Sequence, residues 1–439
     1  MTSQLLDPLK LKNLQIDLLQ KVKNHIFKLK KTKFNINYYI PHSYCDGYAL
    51  LKFWINPTKN WFLRIKIIAR EIYLLSLENE IIINKNIKIK KYNKIILTWG
   101  NYKNFNSKGE FFDKYYKINN KELKNTLWII IKTDLNKIKK INNNLIILQK
   151  KRKKKINFFK LFKIIFNISL WKYLNFSYQN EFAYAIWNKI NKYFDKNVTN
   201  LYFPYEGQSF QNYIIDQCKK KFPKIYTIGY VHSFPLGLPT NLIYRFDSPN
   251  KIFVNGYYQK KYLCDHLGWN KKNINVINSL RFQKNKIMNS QLFLPYYIED
   301  QLLIYKKLLK LKNHKNYSKI FDSLLIKNHP EMTKSDTHLV LIKKIKKNII
   351  RHNQIKKNNE YSIFIGCSGA AIEALVRNVK IIHISTEPIL EIYSSLWKFL
   401  NIGQIDKNIY TYNLKKNIKK DQIIKIANQK KLSKNYFIN

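Results

Sequence analysis

The sequence predicts an α/β protein whose parallel sheets carry helices on both faces. Three observations predict it. Short apolar runs such as "KIILT" (94–98) and "TLWIII" (126–131) alternate with longer segments of helical pattern, which places parallel strands inside a domain and crossover helices outside it. The chain has 439 residues, enough for about two or three domains with sizeable cores. The polar signatures stand just past the apolar runs, where parallel sheets collect functional groups beyond the carboxyl ends of their strands.

Taken in order, residues 5–29 have a helical pattern followed by a lysine-rich linker, so 1–32 is expected to be an N-terminal helical segment. Residues 33–51 read as strand, turn and helix start, and 81–100 as a lysine-rich connection leading into a buried strand at 94–98. A second apolar strand spans 126–134, and a helix is expected over 180–194. Strand–loop–helix units then recur through "NLYFPYEGQSFQNYIIDQCKKK", "KIYTIGYVHS", "NKIFVNGYYQKKYLCDHLGW" and "INVINSLRF". "QLFLPYYIEDQLLIYKKLL", "FDSLLIKNHP", "YSIFIGCSGAAIEAL" and "VKIIHISTEP" carry the alternation to Pro388. A strand pattern ends and polar residues intervene near 281–289, which sets the expected domains at 33–282 and 283–439.

Composition narrows the class. Hydrophobic residues make up 45% of the chain and aromatics 15%, so it is not a disordered polyelectrolyte. Lys+Arg number 80 against 27 Asp+Glu, a formal charge of +53. The excess is nearly all lysine, spread along the chain with much asparagine and isoleucine, as compositional drift in an AT-rich genome produces. It gives a general affinity for anionic surfaces. No RNP-type aromatic motif, zinc-finger spacing or GXXG loop accompanies it, so dedicated nucleic-acid binding is not expected. The four cysteines, Cys45, Cys218, Cys264 and Cys367, form no CxxC pair, which suits a reducing cytoplasm. Neither a signal-peptide h-region at "MTSQLLDPLKLKNLQ" nor a run of ~18 uncharged apolar residues is present in the sequence, so a cytoplasmic protein without a spanning helix is expected.

One stretch stands apart. "KKRKKKINFFKLFKIIFNISLWKYLNF" (150–176) sets a basic cluster before an aromatic, lysine-punctuated run. Two readings fit it: a helix lying on an anionic membrane surface, or a solvated basic loop leading into a core helix.

Four strand ends carry chemistry. In "FIGCSGAAIEAL" a strand ends at Gly366 and a small-residue turn, Cys367, Ser368 and Gly369, opens a helix. Unpaired N–H groups and the helix dipole make such a turn a seat for phosphate. Glu373 in the same helix is placed to reach a sugar hydroxyl or to be a solvated helix residue. "LLIKNHPEM" ends a strand at His329, and Pro330 prevents the strand from continuing. With the strand before the Cys-Ser-Gly turn taken as its neighbour, His329 and that turn would serve one anion. "YFPYEGQSF" places Glu206 beside Gly207, a carboxylate positioned to accept a proton from a hydroxyl. "GYVHSFPLGLPTNLIYR" supplies His232, Ser233, Asn241 and Arg245 in a long Pro/Gly-rich loop, where Arg245 can pair with an anionic substrate or form a structural salt bridge.

These motifs, in this order, resemble bacterial glycosyltransferases of the GT-B fold that build surface carbohydrates such as capsule and lipopolysaccharide. The resemblance spans about 98–388 and rests on "LTWGNYKNFNSKGEFFDKYY", "PYEGQSFQN", "IGYVHSFPLGLPTNLIYR", "NKIFVNG", "HLGW", "INVINSLRF", "NHPEM" and "SGAAIEAL". The Glu-Gly, His-Pro and serine-turn motifs are similar to those of sialyl- and polysialyltransferases. The resemblance implies two Rossmann-like domains facing across a cleft. It implies that the N-terminal one is on the acceptor side, with a basic-aromatic insertion near 150–176, and that the C-terminal one binds a nucleotide-sugar. It further implies Glu206 as base, and His329, Pro330 and Ser368 holding a CMP-sugar; His232, by its place at the next strand end, is the rival for the base. Tyr205 stands where a second acidic residue is common, and one serine stands where two are common, which leaves the donor open between CMP-linked nonulosonic acids or Kdo and UDP-sugars. The implied acceptor is a glycan or lipid-linked glycan, with the enzyme on the inner face of the membrane.

No Asp-x-Asp and no His/Cys cluster with metal-ligand spacing occurs in the sequence, so a metal-independent, cofactor-free transferase is expected. Two other functions fit parts of the pattern: a UDP-sugar 2-epimerase-like enzyme, and a non-catalytic protein that binds polyanions or membranes through its basic surface.

Overall fold

Isoleucine- and leucine-rich runs with no room for solvent form the centre of each sheet. In the computed structural model the described residues are 61–84, 92–132, 137–138, 140–168, 178–232, 240–282, 288–295, 298, 301–329, 336–350, 360–366, 369–384 and 399–426, with Gln20 and Asn24 as isolated positions. The expected N-terminal helical segment and the strand–turn–helix at 33–51 lie outside them.

The first sheet has eight strands. In chain order they are β1 (Leu77–Ile83), β2 (Lys94–Trp99), β5 (Thr126–Lys132), β6 (Leu145–Ile156), β7 (Asn200–Pro204), β8 (Tyr226–Tyr230), β9 (Lys251–Val254) and β10 (Ile274–Val276). A small antiparallel pair, β3 (Phe112–Asp113) and β4 (Ile118–Asn119), forms between β2 and β5. The spatial order is β1-β6-β5-β2-β7-β8-β9-β10, parallel throughout except where β1 pairs antiparallel with β6. The second sheet comprises β11 (Gln291–Leu294), β12 (Leu325–Asn328), β13 (Tyr361–Ile365), β14 (Lys380–Ile384), β15 (Leu400–Asp406) and β16 (Ile409–Leu414), in the order β12-β11-β13-β14-β16-β15. Its first four strands are parallel, and the β15–β16 hairpin joins β14 antiparallel. Two mainly parallel sheets with helices on them are the α/β layering expected for a GT-B fold.

The described helices are α1 (Trp61–Ser76), α2 (Phe158–Ile165), α3 (Tyr178–Ile190), α4 (Ser209–Lys221), α5 (Tyr257–Leu267), α6 (Gln301–Lys312), α7 (Asp336–Asn348) and α8 (Ala370–Val376). One core on the first sheet gathers Ile95, Leu97, Leu127 and Ile129 of the central strands with Ile186 and Trp187 of α3 and Ile214 and Ile215 of α4. Its other face packs Ile96, Trp128 and Ile130 against Phe111 and Tyr116. The second sheet has its own two cores, with Phe364 against Ile372 and Leu375 on one face and Ile363 against Leu308 and Ile345 on the other.

Two findings differ from the sequence-based expectation. The basic cluster at 150–155 is neither loop nor helix. It is the second half of β6, with Lys151 opposite Glu80 and Arg152 opposite Asn79 of β1. A lysine-rich strand is stable here because β1 satisfies its backbone while the Lys151 and Lys155 side chains reach solvent. The strands that end at His329 and at Gly366 are not neighbours either. β11 lies between β12 and β13, because the chain goes from β11 outward to β12 and then crosses back to the other side of β11 for β13.

Residues 422–426 lie against the first sheet. The Ser279 N–H donates to the Lys425 carbonyl (2.6 Å) and the Lys425 N–H to the Asn255 carbonyl (2.7 Å). The Tyr258 hydroxyl donates to Gln422 Oε1 (3.0 Å).

Candidate functional site

The strand order of the first sheet locates its site. From β2 the chain proceeds to β5 and β6 on one side, then returns to β7 beside β2 and continues outward through β8, β9 and β10. The reversal lies between β2 and β7, and the crevice beyond the carboxyl ends at such a reversal is where open α/β sheets bind ligands. Thr98 and Trp99 end β2, and Glu206 follows β7.

Glu206 is held from three sides. Its backbone N–H donates to Gln211 Oε1 (3.0 Å), and the Gln208 side-chain amide donates to its Oε2 (2.9 Å). Its carbonyl accepts from Asn241 Nδ2. Gln211 and Gln208 belong to the capping box that starts α4, so a helix N-terminus fixes the loop bearing the carboxylate. Gly207 has φ +61, and a Cβ there would collide with the Asn241 carbonyl. Glycine is therefore required by both backbone conformation and space.

His232 follows β8, the neighbour of β7. Its backbone is clamped because the Val231 N–H donates to the Phe253 carbonyl (2.9 Å) and Asn255 Nδ2 donates to the Val231 carbonyl (2.9 Å). His232 Nε2 lies 3.3 Å from Glu206 Oε1, with the imidazole buried and the carboxylate 28% exposed. Burial pushes the imidazole pKa down to about 4, with Arg281 and Lys114 adding to the fall and Glu206 opposing it. The ring is therefore neutral near pH 7, and the nitrogen facing the carboxylate is assigned the proton. His232 Nδ1 and Asn241 Oδ1 are buried and have no hydrogen-bond partner among the described residues.

The β3–β4 turn closes this site from above. The Tyr115 ring packs edge-on to His232 at 4.6 Å between centroids. Asp113 shapes the turn: its Oδ1 accepts from the Tyr115 N–H (2.7 Å) and Tyr116 N–H (2.8 Å), and its Oδ2 accepts from Thr98 Oγ1 (2.6 Å). Burial pushes the Asp113 pKa up to about 6 against these hydrogen bonds. The sequence reading passed over Asp113 and Tyr115, although both lie in the "GEFFDKYY" part of a motif it used.

No family model and no curated protein sequence matches this chain. Among solved structures it is similar to the N-terminal domain of trehalose-6-phosphate phosphatase from Candida albicans, at 10% identity over 68% of this chain and 84% of that one, with a TM-score of 0.33. It is also similar to a glycosyltransferase from Rickettsia africae ESF-5, at 14% identity over 67% and 79% of the two chains, with a TM-score of 0.28. Likenesses this loose assign no activity.

The other residues marked by the sequence fall in different surroundings. Arg245 is buried, with Nε 3.2 Å from Asp247 Oδ1. Burial holds the Asp247 pKa up while Arg245 pulls it down. In the second sheet the strand order reverses between β11 and β13, and Gly366, with φ +62, ends β13 there. Gly369 starts α8, a helix of seven residues. Glu373 is buried and accepts from Arg377 Nη2 (3.2 Å). His329 is exposed at the end of β12, the sheet's edge strand, with its N–H donating to the Leu294 carbonyl (3.1 Å). Ser233, Pro330, Cys367 and Ser368 lie outside the described residues.

His383 was not marked by the sequence. It is fully buried in β14, its Nε2 lies 3.2 Å from the Gly366 carbonyl, and the Tyr412 hydroxyl lies 3.5 Å from its Nδ1. The neutral tautomer that donates from Nε2 supports the turn after β13 from behind, and burial pushes the ring's pKa down to about 3.

Proposed function

We propose that the chain is a glycosyltransferase in which Glu206 takes the proton of an acceptor hydroxyl. The observation that carries the reading is the Glu206–His232 pair at the strand-order reversal of the first sheet, a half-buried carboxylate fixed by a helix cap and by a neutral, buried histidine. The acceptor oxygen, as its proton passes to Glu206, forms a bond to the anomeric carbon of the donor. The bond from that carbon to the nucleotide phosphate breaks, and the phosphate leaves with the electron pair. His232 keeps the carboxylate oriented by donating from Nε2.

The donor belongs, on this reading, to residues 283–439. The turn at Cys367, Ser368 and Gly369 and the His329–Pro330 strand end are assigned to its nucleotide phosphate, with Glu373 beside them. Residues 33–282, with Gly207, Ser233, Asn241 and Arg245 near the base, hold the acceptor. A CMP-linked nonulosonic acid or Kdo is the favoured donor, with UDP-sugars the alternative. The acceptor is a surface-polysaccharide or lipid-linked glycan at the inner face of a membrane.

The test is release of nucleotide from a panel of CMP- and UDP-sugars, with and without glycan acceptors. Acceptor-stimulated release of one nucleotide supports the reading. A protein that binds none of these donors and releases no nucleotide overturns it.

A further inference from the structure

α2 presents its apolar side chains to solvent. Phe158, Phe159, Phe162 and Phe166 are 68%, 82%, 58% and 74% exposed, and Ile168 just beyond is 81% exposed. Ordinary surface helices turn such residues inward. Spacing of four residues from Phe158 to Phe162 to Phe166 sets them on one stripe, and the last two rings stack 6.3 Å apart. The helix is held firmly while it does this. Asn157 caps it, with Oδ1 accepting from the Lys160 N–H (2.9 Å). The Asn157 N–H donates to the Ser76 carbonyl at the end of α1 (2.9 Å). Ile164, its buried residue, packs on Leu75, and Lys160 pairs with Glu181 of α3 (2.8 Å).

The charges around the stripe are mostly positive: Glu181 is paired with Lys160, and Glu80 lies opposite Lys151. Lys151 and Lys155 at the end of β6 and Lys163 on α2 are exposed, and 150–176 contains no Asp or Glu. A second copy of the chain would bring this cationic patch against another on proteins of charge +53. Anionic lipid headgroups meet both requirements, since they attract lysines while the acyl boundary takes up phenylalanine. Among the described residues no helix is long and apolar enough to cross a membrane, and α2 itself has only 8 residues.

We propose that α2 and the basic end of β6 seat the protein on an anionic phospholipid surface, with Phe158, Phe159, Phe162 and Phe166 entering the interface. This seat does not depend on the transferase chemistry, and its test reads binding alone.

The full chain is sedimented with phosphatidylcholine vesicles and with vesicles that also contain phosphatidylglycerol. Binding to the anionic vesicles, weakening with salt, is expected. The double variant Phe159→Ser/Phe162→Ser, which changes no charge and removes exposed side chains, should bind them at least about tenfold more weakly. Lys151→Gln/Lys155→Gln/Lys163→Gln should also weaken binding. Phe159→Trp should add a tryptophan emission that shifts to the blue on the same vesicles. Unchanged binding of the phenylalanine variant would mean that the overall charge alone holds the protein to lipid, and would overturn the proposal. So would a wild-type chain that ignores anionic vesicles, or one that dimerises in solution through this stripe and becomes monomeric in the double variant.

Discussion

Glu206 and His232 meet across the ends of two neighbouring parallel strands, with Oε1 3.3 Å from Nε2. Both are anchored first through the backbone around them, and the Gln208 amide then holds the Glu206 carboxylate. α4 caps the loop of one, and hydrogen bonds from Asn255 and to Phe253 clamp the backbone of the other. A pair set by main-chain geometry is preorganised, which is what a proton acceptor in a transfer site requires.

Gly207 is the hinge of this arrangement. Gly207→Ala should destabilise the protein by about 1–3 kcal/mol from its left-handed φ alone, and the collision with the Asn241 carbonyl adds to that cost. Urea unfolding reads the loss. Turnover should fall with it, because the carboxylate that Gly207 follows is displaced.

Asp113 holds the turn over the same pair. Asp113→Ala leaves the Tyr115 and Tyr116 N–H groups and the Thr98 hydroxyl without their acceptor, and should cost about 2–4 kcal/mol. Thr98→Val, which removes one of those bonds, should cost about 1 kcal/mol. Equal stability of wild type and Asp113→Ala in urea would show that the turn does not rely on the carboxylate.

Much of this was legible in the sequence. The largely apolar runs of β2, β5, β7 and β8 are unmistakable because a parallel strand covered on both faces has little room for polar side chains. What escaped depends on partners remote in the chain. β1 mixes Glu78, Asn79 and Glu80 with isoleucine and pairs with β6 far along the chain, from Leu77↔Ile156 to Ile83↔Leu148. The β15–β16 hairpin is thinly apolar and turns at Asn408 with φ +68, a signal that only its pairing with β14 makes readable. That β11 separates β12 from β13 is a matter of strand order, which no local pattern carries. His383, one polar residue in "KIIHI", gives no sign in sequence that it supports the Gly366 turn.

The two buried histidines set an acid limit. Folding lowers their pKa to about 4 for His232 and about 3 for His383, below the unfolded value of 6.5. Below pH ~6.5 the unfolded chain therefore binds protons that the folded chain refuses, so both residues weaken the fold as pH falls towards their folded values. Asp113 has the opposite sign. Its pKa is raised to about 6 from 3.8, so the folded state holds the extra proton between those values and gains stability as pH falls through about 6. His383→Gln should flatten the dependence of unfolding free energy on pH by about one proton between pH ~6.5 and ~4. Asp113→Asn should steepen it. Urea midpoints measured across that range check both signs.

The central claim rests on the Glu206 carboxylate, and the kinetics of Glu206→Gln beside His232→Ala test it most directly, once a donor and acceptor are in hand. Glutamine keeps the size and the contact with Gln208 but takes no proton. The account predicts turnover reduced about 10²–10⁴-fold in Glu206→Gln, with nucleotide affinity near that of wild type and a smaller loss in His232→Ala. Full turnover in Glu206→Gln would contradict it.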